Sequence, residues 1–167
     1  QLLEQPGQDL GSVMRNVTRQ WNSDEEPFKR ELFQPDIPRL FIPANFVKLK
    51  SAAELTQTKK SLRLGRRLLI DIGRKNRTWV DENLELHLFD TQSDRQKLTV
   101  HNLHDVAYSS TRMIQWSTPA WIDGKPYVDA SYNCACPAIE MVALGYAEVI
   151  AISTEIGEVY RDIFADG

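Results

Sequence analysis

The sequence predicts a mixed α/β domain, and three patterns carry that prediction. Apolar residues recur at helical spacing in several segments, and two later segments alternate in the way that half-buried strands do. Near the end, a helical segment leads into a short apolar run rich in β-branched residues. Such a run is typical of a strand buried on both faces, as in a parallel sheet between helices. Helices and strands mixed in this order indicate the α/β class.

The first predicted element is a helix whose apolar stripe contains Leu10, Met14, Val17 and Trp21. Several prolines interrupt the following segment, residues 22–43. Each proline removes a backbone donor, so we expect little long regular structure there. An apolar segment of this kind suits a lid over a substrate site, and a plain connecting loop fits equally well.

The pattern of residues 51–73 predicts a second helix, with Gly73 at its C-terminal end and an apolar side formed by Leu62, Leu68, Leu69 and Ile72. The other side of this helix is strongly basic: it carries Lys59, Lys60, Arg63, Arg66 and Arg67. A basic face can meet anionic lipid head groups. Simple solvation is the more common role of such a face, so the pattern leaves both interpretations open.

Two hairpins are predicted in the second half. Residues 84–89 alternate apolar and polar side chains, and residues 97–101 follow across a polar turn as the partner strand. A helix is expected over residues 102–114. The second hairpin spans residues 121–128 and turns at Asp123-Gly124, a dipeptide typical of tight hairpin turns.

The last predicted elements are a helix that begins at Pro137 and a buried strand over residues 147–153. These elements and the preceding hairpins predict a core at residues 80–167, and residues 1–79 are expected to form a helical, lid-like region of the same domain.

Composition excludes several classes of protein. The 167 residues carry a net charge of −3, which gives no general attraction for nucleic acid. No apolar run approaches the length of a membrane span, so lipid contact is expected to be peripheral or within a pocket. Cys134 and Cys136 are too close for an unstrained disulfide, so both are expected to be free thiols in a reducing, cytoplasmic setting. No phosphate loop or metal-ligand cluster is present in the sequence, so no cofactor or metal is expected.

One segment resembles the C-terminal signature of patatin-like phospholipases. It contains Tyr127-Val128-Asp129-Ala130-Ser131, a proline eight residues after the aspartate, and a Leu144-Gly145 corner before the apolar run. The segments 104–111 and 86–91 are also similar to motifs of that family. In all, residues from about 80 to 154 match in order and spacing.

The resemblance implies a three-layer α/β/α sandwich with a mostly parallel sheet, and a Ser-Asp dyad that hydrolyses lipid acyl esters. In such a dyad the serine attacks the ester carbonyl, and an aspartate accepts its proton directly. Asp129 matches that proton acceptor, and Ala130 and Ser131 form the turn that supports it. By the same resemblance, Ser109 and Ser110 are candidates for the substrate cleft.

The sequence departs from the family pattern in four features. No Gly-x-Ser-x-Gly motif occurs, so the serine nucleophile is missing, and the glycine-rich oxyanion loop is absent too. Ala130 stands where the family usually has a glycine, and Ala135 stands where it often has an asparagine. We expect the nucleophile to lie upstream of Gln1. This chain alone is then inactive, and it needs the missing segment, a second chain or another copy of itself.

Three alternatives remain open at this point. An aspartate after a strand commonly hydrogen-bonds its own turn, and Asp129 fits that role as well. The domain could be a non-catalytic relative that binds lipid or another protein. It could also transfer the acyl group to an acceptor other than water, with the same dyad.

Overall fold

We analysed a computed structural model, which describes residues 31–34, 36–152 and 159–165. The strands are β1 Phe41–Val47, β2 Leu84–Asp90, β3 Ala120–Ile122 and β4 Lys125–Val128. The helices are α1 Leu49–Leu55, α2 Thr58–Gly73, α3 Thr78–Asn83, α4 Leu103–Ser109 and α5 Ala138–Ala143, with a 3-10 turn at Ala130–Tyr132. The domain is therefore mixed α and β, as predicted. The helix predicted around residues 10–21 lies outside the described residues.

The four described strands form one sheet in the order β2-β1-β4-β3. Every neighbouring pair in it is antiparallel. The mostly parallel three-layer sandwich that we expected is therefore not supported. The reason is that these strands pair across turns and return segments, whereas parallel neighbours need a crossover that brings the chain back in the same direction.

We expected little regular structure over residues 22–43. That expectation is wrong for the last three of these residues, because β1 begins at Phe41. Pro43 lies inside β1 and faces Leu88 of β2. Within β1, β4 pairs only with Asn45 and Phe46, so the pairing of these two strands does not extend to the proline. A proline is tolerated where its missing N–H has no partner strand to bond.

The first predicted hairpin has the wrong partner strand. β2 pairs along its whole length with β1, from Leu84 opposite Val47 to Asp90 opposite Phe41. Residues 97–101 form no strand, and a single bridge between Asp90 and Lys97 is the contact that remains. The backbone groups of β2 bond to β1 instead. β1 is distant in sequence, and the alternation of residues within β2 does not indicate which strand will pair with it.

The second predicted hairpin is confirmed. β3 and β4 flank a turn at Asp123 and Gly124, whose φ angles of 49° and 73° are both positive. Two positive φ angles match the right-handed twist of the strands that the turn joins.

The predicted helices are present with changed bounds. The helix expected over 51–73 is divided into α1 and α2 by a break at Thr56-Gln57. α4 covers only the first part of the range 102–114, and α5 begins directly after Pro137 as predicted.

Two apolar clusters lie on opposite faces of the sheet. Val47 and Val128 point into one, which is closed by α1, α2 and α3. Ala44 and Tyr127 point into the other, which includes Val106 of α4. Neighbouring strand residues thus alternate between the two clusters, as side chains of a pleated strand must.

The buried strand predicted at residues 147–153 is not formed over the part that the structure describes. Residues 147–152 have no regular secondary structure, and Ile150 and Ile152 are 91% and 97% exposed. The apolar, β-branched composition gives strand propensity, but a strand also needs a neighbour, and no described strand pairs with this run. Among the described residues, no helix is long and apolar enough to cross a membrane.

Candidate functional site

Asp129 directly follows β4 and begins the 3-10 turn, so the predicted position at a strand end is confirmed. The side chain is half-buried, and its Oδ1 accepts a hydrogen bond from the backbone N–H of Ser131 at 2.8 Å. The aspartate therefore does bond its own turn, the structural role left open above. No described residue donates to its second oxygen, Oδ2.

The backbone of this turn is held by Asn45, a fully buried residue of β1. The Asn45 side-chain amide donates to the carbonyls of Asp129 and Ala130, at 2.6 and 3.1 Å. Its Oδ1 accepts from the side-chain amide of Asn133 at 2.7 Å. Because buried amides are costly unless bonded, these contacts fix the turn against the central strand. We call Asn45, Asn133 and the turn that they bind the asparagine clamp.

A second set of contacts ties the same turn to the segment after α4. The backbone N–H of Asp129 donates to the carbonyl of Arg112 at 3.0 Å. The hydroxyl of Tyr132 accepts from the backbone N–H of Ile114 at 3.1 Å, and burial raises the pKa of this phenol. The buried Arg112 side chain donates to the Thr118 carbonyl at 2.6 Å. The Asp129 turn is therefore fixed from two sides, by β1 and by the 112–118 segment.

The other residues suggested by the family resemblance have structural roles. Ser109 is fully buried, and its hydroxyl donates to the carbonyl of Val106 at 2.7 Å. Ser110 caps the C-terminal end of α4 and is half-buried. Ala130 is buried with a negative φ, so the alanine fits without strain where the family usually has glycine. Ser131 serves through its backbone N–H.

An open apolar groove of about 470 Å³ begins shortly after the Asp129 turn. Its lining includes Pro137, Ala138 and Met141 from the start of α5, and Val149 and Ile152 from the segment after that helix. α5 has no fully buried residue, and several of its large side chains are exposed. The groove has the apolar character that an acyl chain requires. Asp129 itself is not among its lining residues.

A second open groove, of about 450 Å³, lies beside the β3–β4 hairpin and is mostly polar. Its basic side chains are Arg95, Lys97 and Lys125, and its acidic ones are Asp105 and Asp123. The mixture of charges shows no preference for anions or cations.

The environment of the two cysteines favours a structural role for their thiols over a catalytic one. Cys134 and Cys136 are both free, as predicted. Burial, and after it the nearby Glu140 carboxylate, raises the pKa of the Cys134 thiol to about 12. A thiol with such a pKa is a poor nucleophile at neutral pH. In the part of the chain that the structure describes, no group of three or more His, Cys, Asp or Glu side chains could hold a metal ion.

The sequence interpretation missed Asn45 and Asn133, although they organise the turn. Asn45 stands in an otherwise apolar segment, between Ala44 and Phe46. A buried asparagine in a strand needs several partners, and that position was the available signal. Its partners lie more than 80 residues away and could not be identified from spacing.

Comparison with protein-family models, with curated proteins and with solved structures finds no match to this chain. The resemblance to patatin-like phospholipases therefore depends on the motif residues alone, and the role of Asp129 remains a prediction.

Proposed function

We propose that this chain provides the proton-accepting aspartate of a lipid acyl-ester hydrolase. The observation that supports the proposal is the state of Asp129. One carboxylate oxygen is held by the Ser131 N–H, the backbone is fixed by Asn45, and no described residue donates to Oδ2. A carboxylate used as a base needs this combination of a fixed orientation and one available oxygen.

The proposed reaction uses Asp129 twice. A serine hydroxyl transfers its proton to Oδ2 of Asp129 while its oxygen forms a bond to the ester carbonyl carbon. The proton then passes to the departing alcohol as the ester bond breaks. A water molecule hydrolyses the acyl-serine, and Asp129 accepts the proton of that water before it returns to the serine. None of the serines in this chain lies in a Gly-x-Ser-x-Gly elbow, so the proposal takes the nucleophile from outside these 167 residues.

The apolar groove supports an acyl substrate in particular. It lies next in sequence to the Asp129 turn, and the half-buried Met141 and the exposed Val149 and Ile150 side chains could contact a hydrocarbon chain. Burial of each methylene group of such a chain contributes about 0.8 kcal/mol.

The same groove favours a second candidate, a non-catalytic module that binds an apolar ligand. Asp129 would then only stabilise its turn, as its bond to Ser131 already does. The two candidates differ in one respect: the module needs the groove but not the chemistry of the carboxylate.

The test compares Asp129→Asn with wild type in the complete polypeptide that contains this chain, on a chromogenic medium-chain ester. Asparagine keeps the size of the side chain but cannot accept the serine proton. We expect kcat to fall by about 10² to 10⁴ with little change in KM. Asp123→Asn is the matched control, because Asp123 is an exposed turn residue of the neighbouring hairpin.

A near-normal kcat for a folded Asp129→Asn variant would contradict the assignment. If neither wild type nor variant turns over esters or reacts with a fluorophosphonate probe, while fatty acid still binds, the non-catalytic module is supported instead. Met141→Asp then separates the two uses of the groove, since it should abolish fatty-acid binding in both cases and ester turnover only in the hydrolase.

A further inference from the structure

The outward face of α2 exposes large aliphatic side chains. Leu62, Leu69 and Ile70 are 37%, 52% and 56% exposed. The inward face already has its apolar residue in the core, because Leu68 is 2% exposed. The three outward residues are thus additional to what the packing of α2 requires, and large exposed apolar side chains on one helix face are typical of an interaction site.

Exposed cations lie between these aliphatic residues on the same helix. Lys59, Arg63 and Arg66 all face solvent, and no described carboxylate lies within ion-pair distance of them. Asp71 is the only acidic residue of α2, and it already pairs with Arg67, with 3.3 Å between Arg67 Nε and Asp71 Oδ2. The outward face of α2 is therefore both basic and apolar.

The placement of the cations does not serve the helix itself. Lys59 and Lys60 lie in the first turn of α2, which contains no acidic residue. The N-terminal end of a helix carries a partial positive charge, so lysines there oppose the helix dipole. These charges become favourable when an external negative charge faces them.

An exposed tryptophan lies beside the same helix. Trp116 is 51% exposed and lines a small cavity together with Ser61 of α2. The preceding residue, Gln115, packs directly on Gly65 at the middle of α2. Tryptophan is enriched where proteins meet the boundary between lipid head groups and acyl chains.

We propose that the outward face of α2, together with Trp116, docks on an anionic lipid surface. Cations attract the head groups, and the aliphatic side chains and the indole enter the boundary region. Nucleic acid would be attracted by the cations alone and would leave Leu62, Leu69 and Ile70 unused, so the combination favours lipid. This docking stands independently of the ester hydrolysis proposed above, and it would bring the domain to a membrane whether or not Asp129 is a base.

The test is flotation with vesicles of phosphatidylcholine alone or of phosphatidylcholine and phosphatidylglycerol in equal parts. We expect wild type to bind the anionic vesicles and not the neutral ones. Arg63→Glu/Arg66→Glu and Leu69→Ser/Ile70→Ser should each lower the affinity by about tenfold or more. The tryptophan emission of wild type should shift to the blue on binding, and Trp116→Phe should lose that shift.

Two control variants carry the same kinds of change elsewhere. Arg95→Glu/Lys125→Glu reverses two exposed cations, and Trp121→Ser/Leu144→Ser removes two exposed apolar side chains that lie outside both α2 and the apolar groove. Both should bind anionic vesicles as wild type does. Circular dichroism and thermal melting should show that all five variants are folded.

Three results would overturn the proposal: no binding of wild type to anionic vesicles, full binding by either variant of the α2 face, or equal loss with the controls. Binding to heparin or RNA that needs the arginines but not Leu69 and Ile70, without vesicle binding, would identify the face as a polyanion site instead.

Discussion

At the scale of single residues, the asparagine clamp is the contact that gives the Asp129 turn its rigidity. The buried Asn45 amide bonds two carbonyls of the turn and the side chain of Asn133. We expect Asn45→Ala to lower the free energy of unfolding by about 2–4 kcal/mol, because it leaves several buried groups without partners. Urea denaturation measures this loss.

A double-mutant cycle separates the clamp from general packing. Asn45→Ala and Asn133→Ala share one hydrogen bond, so their effects should be less than additive, with a coupling of about 0.5–3 kcal/mol. Additive effects would show that the bond between the two amides contributes nothing measurable.

The buried Cys134 thiol makes the folded protein less stable at alkaline pH. Its pKa is about 12 in the fold, against an ordinary value of 9.0. Above about pH 9 the unfolded chain loses this proton and the folded chain keeps it, so stability falls as pH rises towards 12. Thermal melts should show a smaller loss between pH 8 and pH 11 for Cys134→Ala than for wild type. Burial also raises the pKa of Tyr127 to about 12, so the Cys134→Ala variant should still lose some stability at alkaline pH.

At the scale of elements, Gly65 sets how closely α2 approaches the 112–118 segment. A Cβ at this position would lie 2.1 Å from the Cβ of Gln115, whose own φ is 90°. We expect Gly65→Ala to destabilise the fold by about 1–3 kcal/mol through this overlap.

Gly73 provides the matched control on the same helix, since a Cβ there meets nothing within 4 Å. Gly73→Ala should be neutral or stabilising by up to about 1 kcal/mol. Gln115→Gly should recover part of the Gly65→Ala loss, because it removes both the overlapping atom and the strained backbone. If Gly65→Ala and Gly73→Ala melt alike, close approach is not what Gly65 provides.

Elements specified by neighbouring residues could be predicted from the sequence, and those specified by distant partners could not. Asp123-Gly124 defines its hairpin within a few residues. The apolar side of α2 was predicted only in part: Leu68 and Ile72 pack into the core, but Leu62 and Leu69 are exposed. β1 was not predicted, because the strands that pair with it, β2 and β4, lie far from it along the chain.

The candidate site shows the same division. The strand end before Asp129 was predictable from local pattern, because β4 and its turn are consecutive. The clamp was not, since Asn45 and Asp129 are separated by 84 residues. The strand predicted over this apolar run was wrong because local composition misled. Residues 147–152 have the composition of a buried strand, but no described strand lies beside them to pair with.

At the scale of the whole molecule, the apolar surface around the groove should control association. Ile150 and Ile152 are nearly fully exposed, and Ile139 and Val142 of α5 are 56% and 61% exposed. We expect the 167-residue chain to self-associate with rising concentration in light scattering. Ile150→Glu/Ile152→Glu should reduce association without lowering the melting temperature, because these side chains support no packing.

Trp121→Glu is the control for that experiment, since Trp121 is 51% exposed on the β3–β4 hairpin. It should leave association unchanged. A wild-type chain that stays monomeric at all concentrations would show that this surface has no need of a partner.

The central position of β1 also determines when this sheet can be completed during synthesis. β1 leaves the ribosome well before β2, which supplies one neighbour, and β4 supplies the other only after many more residues have been added. The Asn45 side-chain amide therefore has no carbonyl partners in this turn until Asp129 and Ala130 have been synthesised and have left the ribosome. Until β4 and the Asp129 turn have been synthesised, the nascent chain carries an incomplete sheet, and the Asp129 carboxylate has no fixed orientation.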